Sequence, residues 1–236
     1  MSVTNLSAAH PVPALVIALD GPSGVGKSST SIAVAQRLEL AYLDTGSMYR
    51  AIAVAAMRAG VIDDPDATIL LTAHADIQVD TNPESPTITI DGLDVSEAIR
   101  DPAVSAAVSK VATNQPIRDL LTARMRRIIF AARRIIAEGR DITTVVMPDA
   151  DVRVLLVADA AERVRRREAE LGGKADHAAV VDQVVRRDRD DSTVSEFHEP
   201  APGVTLIDST YLELDEVVAQ VIALVPEELL VLKERS

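Results

Sequence analysis

Residues 21–28 read Gly-Pro-Ser-Gly-Val-Gly-Lys-Ser and match the phosphate-binding pattern G-x-x-x-x-G-K-[ST] at every fixed position. The apolar run Ala14–Asp20 precedes them and predicts a buried strand, and Ser28–Glu39 follows with the spacing of a helix. Glycines let successive backbone N–H groups approach a phosphate closely, and the helix N-terminus adds a partial positive charge. This stretch therefore predicts a strand, a loop and a helix that together bind a nucleoside triphosphate.

Two side chains of this loop carry chemistry that its backbone does not supply. Lys27 is expected to reach the β- and γ-phosphates of ATP, and the Ser28 hydroxyl is expected to ligate Mg²⁺. Mg²⁺ bound together with ATP is therefore the expected cofactor. The residues predicted to bind ATP are Gly21, Pro22, Ser23, Gly24, Val25, Gly26, Lys27, Ser28 and Ser29.

The same succession of apolar run, turn and helical pattern recurs along the chain. Apolar strands that alternate with helices predict an α/β protein, in which helices cover both faces of a parallel sheet. The predicted strands are Ala14–Asp20, Leu40–Asp44, Arg133–Ala137, Val152–Ala158 and Val204–Asp208. The predicted helices are Ser28–Glu39, Thr45–Ala59, Ile117–Arg133, Ala161–Leu171, His177–Arg189 and Glu213–Val225. We expect a three-layer fold of the P-loop NTPase type with five parallel strands.

One segment, between Asp76 and Arg100, departs from this pattern. Ile77–Asp80 and Thr87–Ile90 alternate apolar and polar residues on either side of a Pro/Asn turn region, which predicts a small antiparallel hairpin. Gly172-Gly173-Lys174, between two arginine-rich helices, predicts a short lid. The expected division is a tail at 1–13, a core at 14–72 and 101–225, an insertion at 73–100, a lid tip at 171–176 and a tail at 226–236.

Composition excludes several classes of protein. The chain has 236 residues, a formal net charge of −12, 2% aromatic residues and no cysteine. An acidic chain with few aromatic side chains is not expected to bind nucleic acid, and one without cysteine has neither disulfides nor Cys-ligated metals. Its apolar runs are too short to cross a bilayer, and residues 1–13 lack the pattern of a signal peptide. We therefore expect a cytoplasmic protein without a membrane partner.

Basic residues are concentrated in one part of the chain. Residues 118–189 contain 16 Lys and Arg against 12 Asp and Glu, whereas the remainder contains 8 against 24. This clustering favours a compact polyanionic ligand, and a solvent-exposed helix face is the alternative for any single arginine. The chain has no Asn-Lys-x-Asp motif of a GTPase and is short for a motor ATPase. A small-molecule kinase with a second anionic substrate is favoured.

Residues 44–50, Asp-Thr-Gly-Ser-Met-Tyr-Arg, resemble bacterial cytidylate kinases, the CMP and dCMP kinases of the nucleoside monophosphate kinase superfamily. The resemblance extends from about Ile17 to Thr210, and its segments follow in family order. They include Asp94–Arg100, Val108–Ala112, Glu138–Asp141, Thr144–Ala150, Glu162–Arg167, Arg187–Thr193 and Ile207–Thr210. It implies an enzyme that transfers the γ-phosphoryl group of ATP to CMP or dCMP, with an insertion that binds the monophosphate.

The resemblance also implies which residues bind the acceptor nucleotide. Arg50 would hold its phosphate group, with Tyr49 in the same pocket, and core packing is the alternative for Tyr49. Ser109 would contact cytosine, although from its sequence context alone it is an ordinary serine on a helix face. Arg187 and Asp191 would contact the ribose, or form an i,i+4 ion pair, or both. The implied set is Thr45, Tyr49, Arg50, Ser109, Arg118, Arg140, Asp141, Arg187 and Asp191.

A smaller set is implied to act on the transferring phosphoryl group. Arg140 follows a buried strand, where it either pairs with Asp141 or holds this group, and we favour the second. Arg163 and Arg166 lie one helical turn apart before the predicted lid and would close over the triphosphate. The expected catalytic residues are Lys27, Arg140, Arg163 and Arg166.

The sequence departs from the family pattern at Val194, where an arginine is usual after the Asp-Ser pair. Valine offers no charge-assisted hydrogen bond, so we expect weaker acceptor binding unless Arg186 or Arg189 supplies the contact. Two other functions remain open: a kinase of the same architecture for UMP, AMP or a shikimate-like metabolite, and a nucleotide-binding regulatory protein without transfer. We expect a monomer, because a clamp that closes on two substrates needs no second subunit.

Overall fold

The computed structural model describes residues 14–170 and 199–230, in which two β-sheets lie among helices. The strands are β1 (Leu15–Asp20), β2 (Ala41–Asp44), β3 (Ile77–Val79), β4 (Ile88–Ile90), β5 (Leu93–Asp94), β6 (Arg134–Gly139), β7 (Val152–Val157) and β8 (Thr205–Asp208). The helices are α1 (Lys27–Leu38), α2 (Thr45–Arg58), α3 (Pro65–His74), α4 (Pro102–Ala112), α5 (Gln115–Ala132), α6 (Ala160–Glu170) and α7 (Leu214–Ala223). A π-helical segment spans Ile142–Val146, and 3-10 turns span Ala98–Arg100 and Glu227–Leu229.

The larger sheet has five strands in the order β2-β6-β1-β7-β8, and all its pairings are parallel. The predicted α/β fold with a five-stranded parallel sheet is confirmed. Because the strands are parallel, their carboxyl ends lie at one edge, where α/β proteins of this type bind their ligands. The last residues of the strands, in spatial order, are Asp44, Gly139, Asp20, Val157 and Asp208.

The hydrophobic core is divided between the two faces of this sheet. Leu15, Ile17 and Leu19 of β1 pack with residues of α1 and α7, whereas Ala18 packs with residues of α2 and α5 on the other face. Successive strand residues point to opposite faces, so an uninterrupted apolar strand is what a sheet covered on both sides requires. Complete burial of each Leu or Ile side chain contributes about 1.5–3 kcal/mol.

The smaller sheet is antiparallel and contains β3, β4 and β5 in that order. The predicted alternation on both sides of a turn accounts for β3 and β4. The structure adds β5, because Asp91 and Gly92 both have positive φ, at 50° and 76°, and reverse the chain after β4. Two such residues form the tight turn that best matches the twist of an antiparallel pair.

Two helices that the sequence analysis missed, α3 and α4, flank this smaller sheet in the chain. Each begins with an Asp-Pro pair, Asp64-Pro65 and Asp101-Pro102. The aspartate caps the helix by accepting a backbone hydrogen bond, from Ala67 N at 3.0 Å in α3 and from Ala103 N at 2.7 Å in α4. Proline fits the first helical turn because no intrahelical partner exists there for an N–H group.

The predicted lid at 171–176 and the predicted helix His177–Arg189 lie outside the described residues. Within 14–170 and 199–230, no helix combines the length and the apolar character that crossing a membrane requires.

Candidate active site

The loop at residues 21–26 leaves β1 at the carboxyl edge and passes close to β7 and α6. A Cβ atom on Gly21 would lie 2.2 Å from the Leu156 carbonyl oxygen, and one on Gly24 would lie 2.7 Å from the Arg163 carbonyl oxygen. Gly24 also has a φ of 76°, which L-residues with side chains rarely adopt. The glycines of the motif thus let the loop pack directly against the backbone of its neighbours.

Four cationic side chains donate to main-chain carbonyls of this loop. Lys27 Nζ donates to the Pro22 carbonyl at 3.0 Å. Three arginines bind its odd-numbered carbonyls: Arg140 Nη1 donates to Gly21 O, Arg163 Nη1 to Ser23 O at 3.2 Å, and Arg166 Nη1 to Val25 O at 3.2 Å. All four residues predicted to be catalytic therefore lie against the phosphate-binding loop.

Arg166 is held on three sides. Its Nε donates to Glu162 Oε1 at 2.7 Å, and its Nη2 donates to the Ser209 carbonyl at 2.6 Å. The Arg165 and Arg166 guanidinium groups keep the pKa of the Glu162 carboxyl low, at about 2, so that it stays ionised. Arg165 binds Glu162 as well, but its own side chain is 72% exposed. Of these two neighbours, Arg166 faces the loop and Arg165 faces solvent.

A buried carboxylate, Glu138 near the end of β6, lies beside the two functional side chains of the loop. Tyr42 Oη donates to Glu138 Oε1 at 2.7 Å. Burial and the nearby Asp44 charge raise the pKa of Glu138, and the Lys27 charge together with hydrogen bonds from Ser28 and Tyr42 opposes that rise. Burial also raises the pKa of Tyr42, so its hydroxyl remains a donor. Carboxylate and hydroxyl oxygens are therefore brought together next to Lys27.

A second buried carboxylate, Asp20, ends β1 and holds the π-helical segment at Ile142–Val146. It accepts from Ile142 N at 2.9 Å, Thr143 N at 2.8 Å and Thr143 Oγ1 at 2.7 Å. Burial raises the pKa of Asp20 to about 6, although these three hydrogen bonds favour its charged form. Asp20 thereby fixes the chain that follows Arg140 and Asp141 against β1.

Two ion pairs lie on the β2–β6 side of the loop. Arg50 Nη2 donates to Asp44 Oδ2 at 2.6 Å, and Asp44 Oδ1 accepts from Ser47 N at 3.0 Å as the cap of α2. Arg118 Nη2 donates to Asp141 Oδ2, and both residues are buried, at 8% and 7% exposed. Arg118 Nη1 also donates to the Ala112 carbonyl at 3.0 Å, which ties α5 to the end of α4.

The remaining acceptor candidates differ in exposure. Thr45 is 3% exposed and donates to the Glu138 carbonyl at 2.7 Å, which joins α2 to β6. Tyr49 is 9% exposed. Burial is the main cause that raises the pKa of its hydroxyl; the nearby Asp141 charge raises it further, and the Arg118 charge lowers it. Ser109 is half-buried on α4. Thr45 and Tyr49 thus pack beneath the site, and Ser109 is more accessible.

The family described as cytidylate kinase matches residues 17–227. The chain belongs to the cytidylate kinase family. A cytidylate kinase of Cutibacterium acnes is 60% identical over 214 residues, covering 90% of this chain and 96% of that protein. One from Rhodococcus jostii is 46% identical over 219 residues, covering 90% and 95%, and one from Geobacter sulfurreducens is 41% identical over 220 residues, covering 90% and 93%.

Membership of the cytidylate kinase family confirms the resemblance inferred from the sequence, and with it a phosphotransferase activity. Of the residues that the resemblance implicates, Arg187, Asp191 and the departure at Val194 lie outside the described residues. Sequence reasoning missed Glu138, Tyr42 and Asp20. For Glu138 and Asp20 the sequence did offer a signal, because burying a carboxylate inside or at the end of an apolar strand costs free energy unless the carboxylate is bound.

Proposed function

We propose that the chain transfers the γ-phosphoryl group of ATP to CMP or dCMP and releases ADP with CDP or dCDP. The observation that carries this proposal is the pair of neighbours Arg140 and Asp141. Arg140 donates to Gly21 O of the phosphate-binding loop, and Asp141 pairs with Arg118 among the proposed acceptor-binding residues. The turn after β6 would thus connect the proposed triphosphate site with the proposed acceptor site, as transfer between two nucleotides requires.

Transfer in this site needs positioning and charge neutralisation rather than a protein base. A phosphate oxygen of CMP is already an anionic nucleophile, so no proton has to be removed from it before attack. The transition state spreads negative charge over the equatorial oxygens of the transferring group. Lys27, Arg140, Arg163 and Arg166 lie where they would stabilise that charge, and Arg50 would hold the phosphate group of the acceptor.

The arginines reach this charge by exchanging partners. Arg140, Arg163 and Arg166 donate to neutral carbonyl oxygens of the loop, whereas phosphate oxygens are anionic and stronger acceptors. Bound nucleotide would therefore draw the three guanidinium groups from the carbonyls to the phosphates over a short distance. Once the three arginines close over the bound nucleotide, they would also exclude water and so limit wasteful hydrolysis of ATP.

The residues around Ser28 suit Mg²⁺ bound with ATP. Mg²⁺ prefers oxygen ligands and usually keeps several waters beside one or two protein ligands and substrate phosphates. The Ser28 hydroxyl would be a direct ligand, and the buried Glu138 carboxylate, which is hydrogen-bonded to Ser28, would orient it. When bound, the ion neutralises charge on the β- and γ-phosphates.

Recognition of cytosine would use the buried Arg118–Asp141 pair and Ser109 on α4. The N4 amine of cytosine is a donor that suits the Asp141 carboxylate and the Ser109 hydroxyl, and its O2 and N3 are acceptors that suit Arg118. Arg187 and Asp191 remain the proposed ribose contacts. ATP and CMP are the proposed small-molecule substrates, the cytoplasm is the proposed location, and a monomer is the proposed active species.

A coupled assay of ADP release with a panel of acceptors tests this function. We expect CMP and dCMP to give the highest kcat/KM, ahead of UMP, AMP and shikimate. Lys27→Ala should abolish release with every acceptor, which excludes a contaminating kinase. A different best acceptor would replace CMP in the proposal, and ATP binding without acceptor-dependent release would identify a nucleotide-binding protein instead.

A further inference from the structure

Asp20 and Gly139 lie side by side at the carboxyl edge of the larger sheet. They are register partners in the parallel pairing of β1 with β6, and each is the last residue of its strand. The Asp20 side chain reaches beyond this pairing, because its carboxylate accepts from the backbone N–H groups of Ile142 and Thr143. Asp20 therefore lies against the neighbouring chain at two places, and two residues separate them.

These two residues are Arg140 and Asp141, which the proposed transfer uses on its donor and acceptor sides. Arg140 Nη1 donates to Gly21 O, and Arg118 Nη2 donates to Asp141 Oδ2. Gly21 directly follows Asp20, so a single residue connects the phosphate-binding loop with both ends of this short span. A small shift of the span would move the donor contact and the acceptor contact relative to the loop.

Thr143 strengthens the attachment to Asp20 with its side chain. Thr143 is 4% exposed, and its Oγ1 donates to Asp20 Oδ2 at 2.7 Å, next to the bond from its own backbone N–H group. Ile142 N donates to the other oxygen, Oδ1, at 2.9 Å. Both oxygens of the carboxylate are thus used. Hydrogen bonds to an ionised group are roughly twice as strong as those between neutral groups.

The π-helical segment Ile142–Val146 is held at its other end as well. Arg126 Nε donates to Val146 O at 2.9 Å, and its Nη2 donates to Val145 O at 2.7 Å. The Asp141 carbonyl accepts from Val145 N at 2.8 Å and from Val146 N at 3.0 Å. The segment is fixed to β1 by an anion and to α5 by a cation, so its position constrains the turn that precedes it.

Bound nucleotide would make this constraint important for catalysis. In the proposed reaction Arg140 exchanges the Gly21 carbonyl for a phosphate oxygen, and its backbone must then keep the guanidinium group in line with the acceptor. We propose that Asp20 and Thr143 are positioning residues, which hold Arg140 in the alignment that phosphoryl transfer requires. This inference rests on the proposed function for the role of Arg140. Misplacement of a reacting group by about 1 Å can lower a rate by about a hundredfold.

Thr143→Val tests the inference, because valine keeps the shape of the side chain and lacks the hydroxyl group. The rate of transfer is measured in single turnovers at about pH 8, where Asp20, with a pKa of about 6, is ionised. We expect the rate to fall by about tenfold in Thr143→Val and by about a hundredfold in Asp20→Asn. Thr143→Ser keeps the hydroxyl group and should keep the rate.

The dissociation constants separate positioning from binding. The phosphate-binding loop and the Arg118–Asp141 pair are unchanged in these variants, so calorimetry should give a Kd for ATP alone, and for CMP alone, within about twofold of the original values. A fall in rate that is matched by weaker binding of either nucleotide would overturn the positioning role.

Thr72 provides the matched control. It is 0% exposed, and its Oγ1 donates to Thr68 O at 2.8 Å within α3, outside the candidate active site. Thr72→Val therefore loses a buried hydroxyl hydrogen bond, as Thr143→Val does, and should leave the rate of transfer unchanged. Similar falls in rate in the two variants would show a general effect of losing a buried hydroxyl group and would overturn the inference.

A double-mutant cycle identifies the residue through which Thr143 acts. Arg140→Ala removes the guanidinium group, so the further change Thr143→Val should slow the Arg140→Ala protein no more. A loss in the double variant equal to the product of the two single losses would overturn the inference. An unchanged rate in Thr143→Val alone would overturn it as well.

These outcomes differ from a failure of the proposed function. The variants are compared with whichever acceptor gives the original chain its highest kcat/KM, so an acceptor other than CMP would correct the proposed substrate and leave the comparison intact. Equal rates in an active original chain and in Thr143→Val would overturn the positioning role alone. Absence of transfer from the original chain to every acceptor would overturn the proposed function, and the positioning role with it.

Discussion

Asp141 and Arg118 form a buried ion pair that joins the turn after β6 to α5. Both residues are less than a tenth exposed, so water stabilises their charges little and each charge is stabilised by the other. Removal of one partner from such a pair leaves an uncompensated buried charge. The pair that is proposed to read cytosine is therefore also part of the framework of the protein.

Arg118→Ala should lower the free energy of unfolding by about 3–5 kcal/mol and raise the KM for CMP. Urea denaturation and steady-state kinetics measure the two effects. The exposed pair between Lys110 and Asp63 is the control, and Lys110→Ala should cost at most about 1 kcal/mol. A loss in Arg118→Ala no larger than in Lys110→Ala would contradict the buried-pair argument.

Arg166→Ala should lower kcat/KM by about 10²–10³, because it removes a cation that lies against the phosphate-binding loop. Arg165 shares the same Glu162 partner but faces solvent, so Arg165→Ala should change kcat/KM by less than about twofold. Steady-state kinetics of both variants, with saturating CMP and varied ATP, measure the two values of kcat/KM. Similar losses in the two variants would assign Arg166 to holding α6 rather than to transfer.

Glu138→Gln should weaken the binding of the divalent ion with ATP by about tenfold, since the amide keeps the size of the side chain but not its charge. Mn²⁺ titration by electron paramagnetic resonance, in the presence of ATP, measures this without turnover. Tyr42→Phe removes one hydrogen bond to Glu138 and keeps the charge, so its Mn²⁺ affinity should change little. Unchanged affinity in Glu138→Gln would argue against a role for this carboxylate at the ion.

Asp20 should make the unfolding free energy depend on pH. Its pKa of about 6 in the folded chain lies above the ordinary value of 3.8, so its protonated form is favoured by folding. The contribution of Asp20 to the free energy of unfolding is therefore fully present below about pH 4. It falls as the pH rises towards 6, by about 3 kcal/mol in all. Urea denaturation from pH 4 to 7 should show this fall relative to Asp20→Asn. A constant difference between the two proteins over that range would disprove it.

The larger sheet and the phosphate-binding loop were predictable because the sequence patterns that indicate them are local. Residues 21–28 carry a fixed pattern, and the strand Leu15–Asp20 begins with an uninterrupted run of five apolar residues. The hydrogen bond between Tyr42 and Glu138 gives no such local signal, since the two residues meet only when β2 pairs with β6 across 96 positions of sequence. Strand β5 has two residues, too few for an alternation to be detected.

The carbonyl oxygens of the phosphate-binding loop help to hold three arginines close to one another. Arg140, Arg163 and Arg166 come from two distant segments of the chain, and like charges resist being brought together. Because Gly21, Ser23 and Val25 each present an oxygen to one of them, that repulsion is offset in the folded chain. In the proposed reaction an arriving triphosphate would therefore meet cations that are already in place, and its binding energy would be left for alignment of the two nucleotides.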